Sequence, residues 1–107
     1  MSTTLPVVVR YEGKGRATRP DWHLSDLVAI FPTEPGTNDP WSMTCYSTVG
    51  EHSSCHTSYM LATKPATKEQ VQAMLQVLKG RGYENLKVVS RVTKHHLKAR
   101  KQQLGVR

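Results

Sequence analysis

Acidic residues are nearly absent from the last quarter of this chain, cysteines number only two, and phenylalanine occurs once. No apolar run approaches the ~20 residues that a membrane-spanning helix needs, so no membrane partner is expected. Two cysteines would normally stay reduced in the cytosol. The start, MSTTLPVVVR, has neither a charged leader nor an apolar stretch of signal-peptide length. These absences together lead us to expect a cytoplasmic protein with reduced thiols. There is also no nucleotide fingerprint, no paired-carboxylate constellation and no nucleophile framed by glycines. No catalytic residue is therefore assigned, and an enzyme is not expected.

What is present is enough for one domain. The chain has 107 residues, 37% hydrophobic and 21% charged, which is a globular composition. A chain of this size buries about 65% of its unfolded surface, sufficient for folding without staples. The net charge is +7, and its distribution says more than its size. Residues 1–80 hold seven Lys/Arg and seven Asp/Glu. Residues 81–107 hold eight Lys/Arg against Glu84 alone, so 8 − 1 = +7 accounts for the whole excess. A neutral body with a basic end suits an accessory protein, of a phage or mobile element for example, that meets an acidic partner.

The pattern along the chain predicts alternating elements. LPVVVRY (5–11) places Leu5, Val7, Val9 and Tyr11 on one face of a strand. LVAIF (27–31) is a continuous apolar run ending at Pro32, as expected for a strand covered on both faces. Three prolines mark 32–40 as a loop. WSMTCYSTV (41–49) alternates as a half-buried strand, with Trp41, Met43 and Cys45 on its inward face. GEHSSC (50–55) reads as the turn and HTSYMLAT (56–63) as the returning strand. Thr67 and Gln70 form a capping box, and Val71, Met74, Leu75 and Leu78 make one apolar stripe, closed by Lys79 and Gly80. Residues 85–92 predict a further strand. Thr93 caps a last helix with only Leu97 and Leu104 on its apolar edge, a poor stripe for burial.

The fold class expected is therefore α+β. It is a single domain with a mainly antiparallel sheet of about five strands, one amphipathic helix on one face, and a basic C-terminal helix or tail. Residues 1–92 form the compact part and residues 93–107 the basic end.

CYSTVGEHSSCH (45–56) gathers both cysteines and two of the five histidines. Cys45, His52, Cys55 and His56 have the ligand types for zinc. The ten-residue interval between the cysteines lies outside the tight C-x₂₋₄-C pair, and the adjacent Cys55 and His56 face opposite ways in an extended chain. A disulfide across the hairpin and a thiol nucleophile are the other chemical readings. A strand cysteine beside a polar hairpin tip accounts for the segment without any chemistry, so no cofactor is expected.

The basic segments point to a partner more directly. Lys94, Lys98 and Lys101 recur at i, i+4 and i+7 along the last helix, with Arg91 and Arg100 beside them. Like charges at that spacing weaken an isolated helix, and a row of phosphates would neutralise them. EGKGRATR (12–19) adds Lys14, Arg16 and Arg19 on a flexible loop that is not a phosphate loop of the Walker type. Tyr46 and Tyr59 are candidate stacking residues on the sheet. Two partners follow: nucleic acid, bound through residues 91–101 and loop 12–19, or the acidic surface of another protein.

Overall fold

The computed structural model describes residues 4–48 and 51–105. Its core is a mixed six-stranded sheet. β1 (Leu5–Tyr11), β2 (Leu27–Phe31), β3 (Ser42–Ser47) and β4 (Glu51–His56) form an antiparallel meander. α1 (Tyr59–Ala62) leads to the two-residue β5 (Lys64–Pro65), α2 (Lys68–Gly80) to β6 (Leu86–Val88), and α3 (Lys94–Leu104) closes the chain. The order across the sheet is β4-β3-β2-β1-β5, and β6 pairs with the same outer edge of β1 as β5. β5 runs antiparallel to β1 and β6 parallel to it. The α+β class and the antiparallel majority match the expectation.

Alternation in β1–β3 produces two cores, one on each face. Val7, Val9, Tyr11, Leu27, Ala29, Phe31 and Tyr46 pack under Met74 and Leu78 of α2. Val8, Val28, Ile30, Met43 and Cys45 form the opposite core, covered by Tyr59 and Met60 of α1 and by Val89 and Val92. β3 is consequently buried on both faces rather than half-buried, with Tyr46 as closed to solvent as Met43. α2 begins as its sequence dictates: the Gln70 amide donates to Thr67 Oγ1 at 3.3 Å, and the Thr67 amide donates to Gln70 Oε1 at 2.8 Å. Met74 and Leu78 are fully buried, worth ~1.5–3 kcal/mol each.

The hairpin departs from expectation. β4 occupies Glu51–His56, where a turn was expected, and a short helix occupies Tyr59–Ala62 in place of a returning strand; residues 49 and 50 lie outside the described ones. EHSSCH has no apolar alternation to read because it forms the sheet edge, and polar residues on an edge protect it from pairing with other chains. The strand at 85–92 is also shorter, because after Val88 the chain leaves β1 to cover the second core.

α3 forms without a leucine stripe. Thr93 caps it through Oγ1, which accepts from the His96 amide at 3.4 Å. Gly105 ends it at φ 71°, a left-handed conformation that glycine adopts without steric cost. Its anchor to the body is Arg100, 1% exposed, whose Nε donates to the Pro40 carbonyl at 2.7 Å and whose Nη1 donates to the Pro32 carbonyl. Gln103 Nε2 adds a bond to the Thr33 carbonyl at 2.7 Å. The helix is thereby fastened to the loop that follows β2.

Candidate nucleic-acid interface

Docking α3 in this way creates a groove of about 770 Å³ between the helix, α1 and the start of β3. Trp41, Met60, Leu61 and Leu97 supply its apolar surface, while Arg91, Lys94, Lys98 and Lys101 stand along it. Lys94, Lys98 and Lys101 share one side of α3, as their spacing requires. Trp41 lies one residue ahead of β3. Its amide donates to Asp39 Oδ1 at 2.9 Å and its carbonyl accepts from the Thr57 amide at 2.9 Å. The backbone is thus held on both sides while the indole remains 48% exposed. Leu61, at 90% exposure, is the other large apolar residue open to solvent here.

Four of the cations expected to bind a partner, Arg91, Lys94, Lys98 and Lys101, are brought to this one groove. Arg100 is not available with them. It is buried and its guanidinium is committed to main-chain carbonyls, so it builds the groove from beneath instead of facing a ligand. Burial lowers its pKa, although a guanidinium remains charged in proteins.

Loop 12–19 lies elsewhere. It follows the C-terminal end of β1, whereas α3 is tied to the loop after the C-terminal end of β2, and these strands are antiparallel. Gln70 of α2 fastens it through a bond to the Ala17 carbonyl at 2.7 Å. Arg19 pairs with Asp21 at 2.9 Å and also donates to the Lys14 carbonyl at 2.9 Å. Lys14 and Arg16 are exposed. No residue of loop 12–19 lines the groove, although its first residue, Glu12, bonds to Tyr59 of α1.

The tyrosines expected to stack are not free to do so. Tyr46 is 1% exposed within the α2 core. Tyr59 is half-buried and donates its hydroxyl proton to Glu12 Oε2, an interaction that raises its pKa. The exposed aromatic is Trp41, which the alternation of 41–49 had placed facing inward with Met43 and Cys45. Only its position just before β3, beside the proline-rich loop, separates it from them.

The cysteines and histidines divide between the two faces of the sheet. Cys45 stands opposite Ser53 and Cys55 opposite Met43, on the side of the second core. His52 stands opposite Tyr46 and His56 opposite Ser42 on the other face of the ladder, and His56, at the strand end, also lines the cavity beside the cysteines. His52 Nε2 is bonded to the Tyr83 hydroxyl, and His56 Nδ1 to Ser58 Oγ at 2.9 Å. No group of three or more metal-ligating side chains converges among the described residues. Cys45 and Cys55 are free thiols that share a hydrogen bond, which lowers the pKa of Cys45 and raises that of Cys55.

Comparison with known proteins found no similarity to draw on: no family model, no curated protein and no solved structure matches the chain.

Proposed function

We propose that this protein binds single-stranded nucleic acid in the groove between α1 and α3, without catalysis. The observation that carries this reading is the exposed Trp41 indole beside four cations, Arg91, Lys94, Lys98 and Lys101, in one groove. Base-on-aromatic stacking supplies ~1–3 kcal/mol per base regardless of sequence, and cations that track the backbone supply the rest. Unstacked bases are needed to use the indole, which favours a single strand over a duplex. DNA and RNA share this chemistry.

Fluorescence anisotropy with labelled single-stranded RNA, single-stranded DNA and duplex DNA tests the reading on the full chain. Four neutralised phosphates on a single strand give a slope of log affinity against log salt of about −3. Trp41→Ala is expected to weaken single-strand binding by roughly 5- to 150-fold, the equivalent of one stacked base. Flat anisotropy at low salt, or binding indifferent to Trp41, rejects this reading. The apolar exposure of Leu61 would then favour the acidic surface of a protein partner, detected by recovery of a stoichiometric complex.

A further inference from the structure

Side chains of the body fasten loop 12–19 by its carbonyl oxygens. The Tyr11 hydroxyl donates to the Lys14 carbonyl at 2.8 Å, and Arg19 Nη1 donates to the same oxygen at 2.9 Å. Lys64 Nζ donates to the Gly15 carbonyl, and Gln70 Nε2 to the Ala17 carbonyl at 2.7 Å. Tyr11 and Gln70 are fully buried, so the Lys14 and Ala17 carbonyls face the body of the protein.

Peptide planarity then fixes the direction of the amides. These peptide bonds are trans, and across a trans peptide the C=O and the following N–H point opposite ways. With the carbonyls of Lys14, Gly15 and Ala17 turned to the body, the amides of Gly15, Arg16 and Thr18 are turned outward. None of these amides has a hydrogen-bond partner among the described residues. Gly15, Arg16 and Thr18 are all exposed. Gly15 alone in this loop has a positive φ, 76°, and such a change of hand between neighbours aims successive amides into an anion-binding concavity. Nothing lies within 4 Å of the position a Gly15 Cβ would take, so the approach is open.

The surrounding charge has the same sign as the amides. Lys14 and Arg16 are exposed and form no salt bridge among the described residues. The neighbouring acids are engaged elsewhere: Asp21 pairs with Arg19, Glu12 accepts from Tyr59, and Asp26 accepts from the His23 amide. Outward N–H donors bond most strongly to an ionised acceptor. A phosphate monoester offers three acceptor oxygens and a charge of about −1.5 to −2 at neutral pH.

We propose that residues 14–18 bind the phosphate group of a small phosphate monoester, at a site independent of the groove. The Gly15, Arg16 and Thr18 amides hold its oxygens, and Lys14 and Arg16 balance its charge. No residue of the loop lines the groove, so the ligand here is a separate molecule rather than a stretch of bound strand.

The full chain, isotope-labelled to resolve its amide resonances, is titrated with inorganic phosphate and with methyl phosphate at constant ionic strength, with chloride as the control. The Gly15, Arg16 and Thr18 signals are expected to shift saturably while those of α3 stay in place. Lys14→Ala combined with Arg16→Ala should weaken binding roughly tenfold or more, the loss expected of one hydrogen bond to a charged group. The same spectra report whether the double variant is folded. Shifts that never saturate, or that chloride reproduces, overturn the proposal. Unchanged affinity in the folded double variant overturns it as well. A single-stranded oligonucleotide without a terminal phosphate completes the test. It should leave these amides unmoved; if it shifts them and phosphate displaces it, the loop belongs to a nucleic-acid surface and the small-ligand site is rejected.

Discussion

Arg100 on the last helix donates through Nε to the carbonyl oxygen of Pro40, 60 residues earlier in the chain, at 2.7 Å. The contact ties the most basic segment of the protein to its most proline-rich loop. It also sets one wall of the groove that contains Trp41. A residue that reads as a ligand-facing cation is thereby a buried fastener, and the cations around it are oriented by it.

Arg100→Ala should lower stability substantially, since each charge-assisted hydrogen bond is worth about 1.5–3 kcal/mol and two carbonyls lose their donor. Arg100→Lys should restore only part of this, because an ammonium lacks the planar fork that reaches both Pro32 and Pro40. Urea denaturation measures the loss. Amide exchange locates it: protection should fall first along α3, and an equal loss in every element would argue against a local fastening role.

The two basic segments should behave differently in nucleic-acid binding. Lys98→Ala is expected to reduce the single-strand salt slope by about 0.7, the value for one phosphate contact. Lys14→Ala combined with Arg16→Ala should leave the slope unchanged, since no residue of that loop lines the groove. The slopes from anisotropy at several salt concentrations make the comparison. Equal effects from both regions would place the contact surface elsewhere.

Acidification should destabilise α3 through His96. Burial, then the nearby Arg100 and His95, lowers its pKa below the ordinary histidine value, and its Nδ1 accepts the Thr93 amide at 3.0 Å. The unfolded chain therefore binds a proton at higher pH than the folded one, so stability falls as pH drops through the ordinary value of about 6.5. The loss continues until the lowered folded pKa is passed. His96→Gln keeps an acceptor at the capping position and should flatten this pH dependence in thermal melts between pH 7.5 and 5.

Gly36→Ala should cost about 1–3 kcal/mol, as overpacking in a tight site does. An added Cβ would stand 2.5 Å from both the Met43 carbonyl oxygen and Ser54 Cβ, pushing the proline-rich loop off β3 and β4. Gly80→Ala is the control, because nothing lies within 4 Å of its added Cβ and helix propensity favours alanine by up to ~1 kcal/mol. Opposite signs in the two melting shifts are the expected outcome.

Sequence alone determined the elements whose causes are local. Thr67 with Gln70 and Thr93 with its own first turn announce two helix starts, because capping joins residues three apart. LVAIF declares a strand covered on both faces, and the stripe from Val71 to Leu78 declares which side of α2 is buried, because periodicity is a property of neighbouring residues. The basic end was equally legible as a sum of charges.

Tertiary structure decided everything whose cause is distant. β4 carries no apolar alternation because, as an edge strand, it is specified by its pairing with β3. α3 is held by carbonyls of Pro32 and Pro40, which no helical wheel can display. Trp41 is open because the strand begins one residue after it. Loop 12–19 lines no part of the groove because β1, which leads into it, runs opposite to β2, which leads to the anchor of α3. Charge and periodicity are additive along a chain, whereas burial depends on which remote segments fold over it.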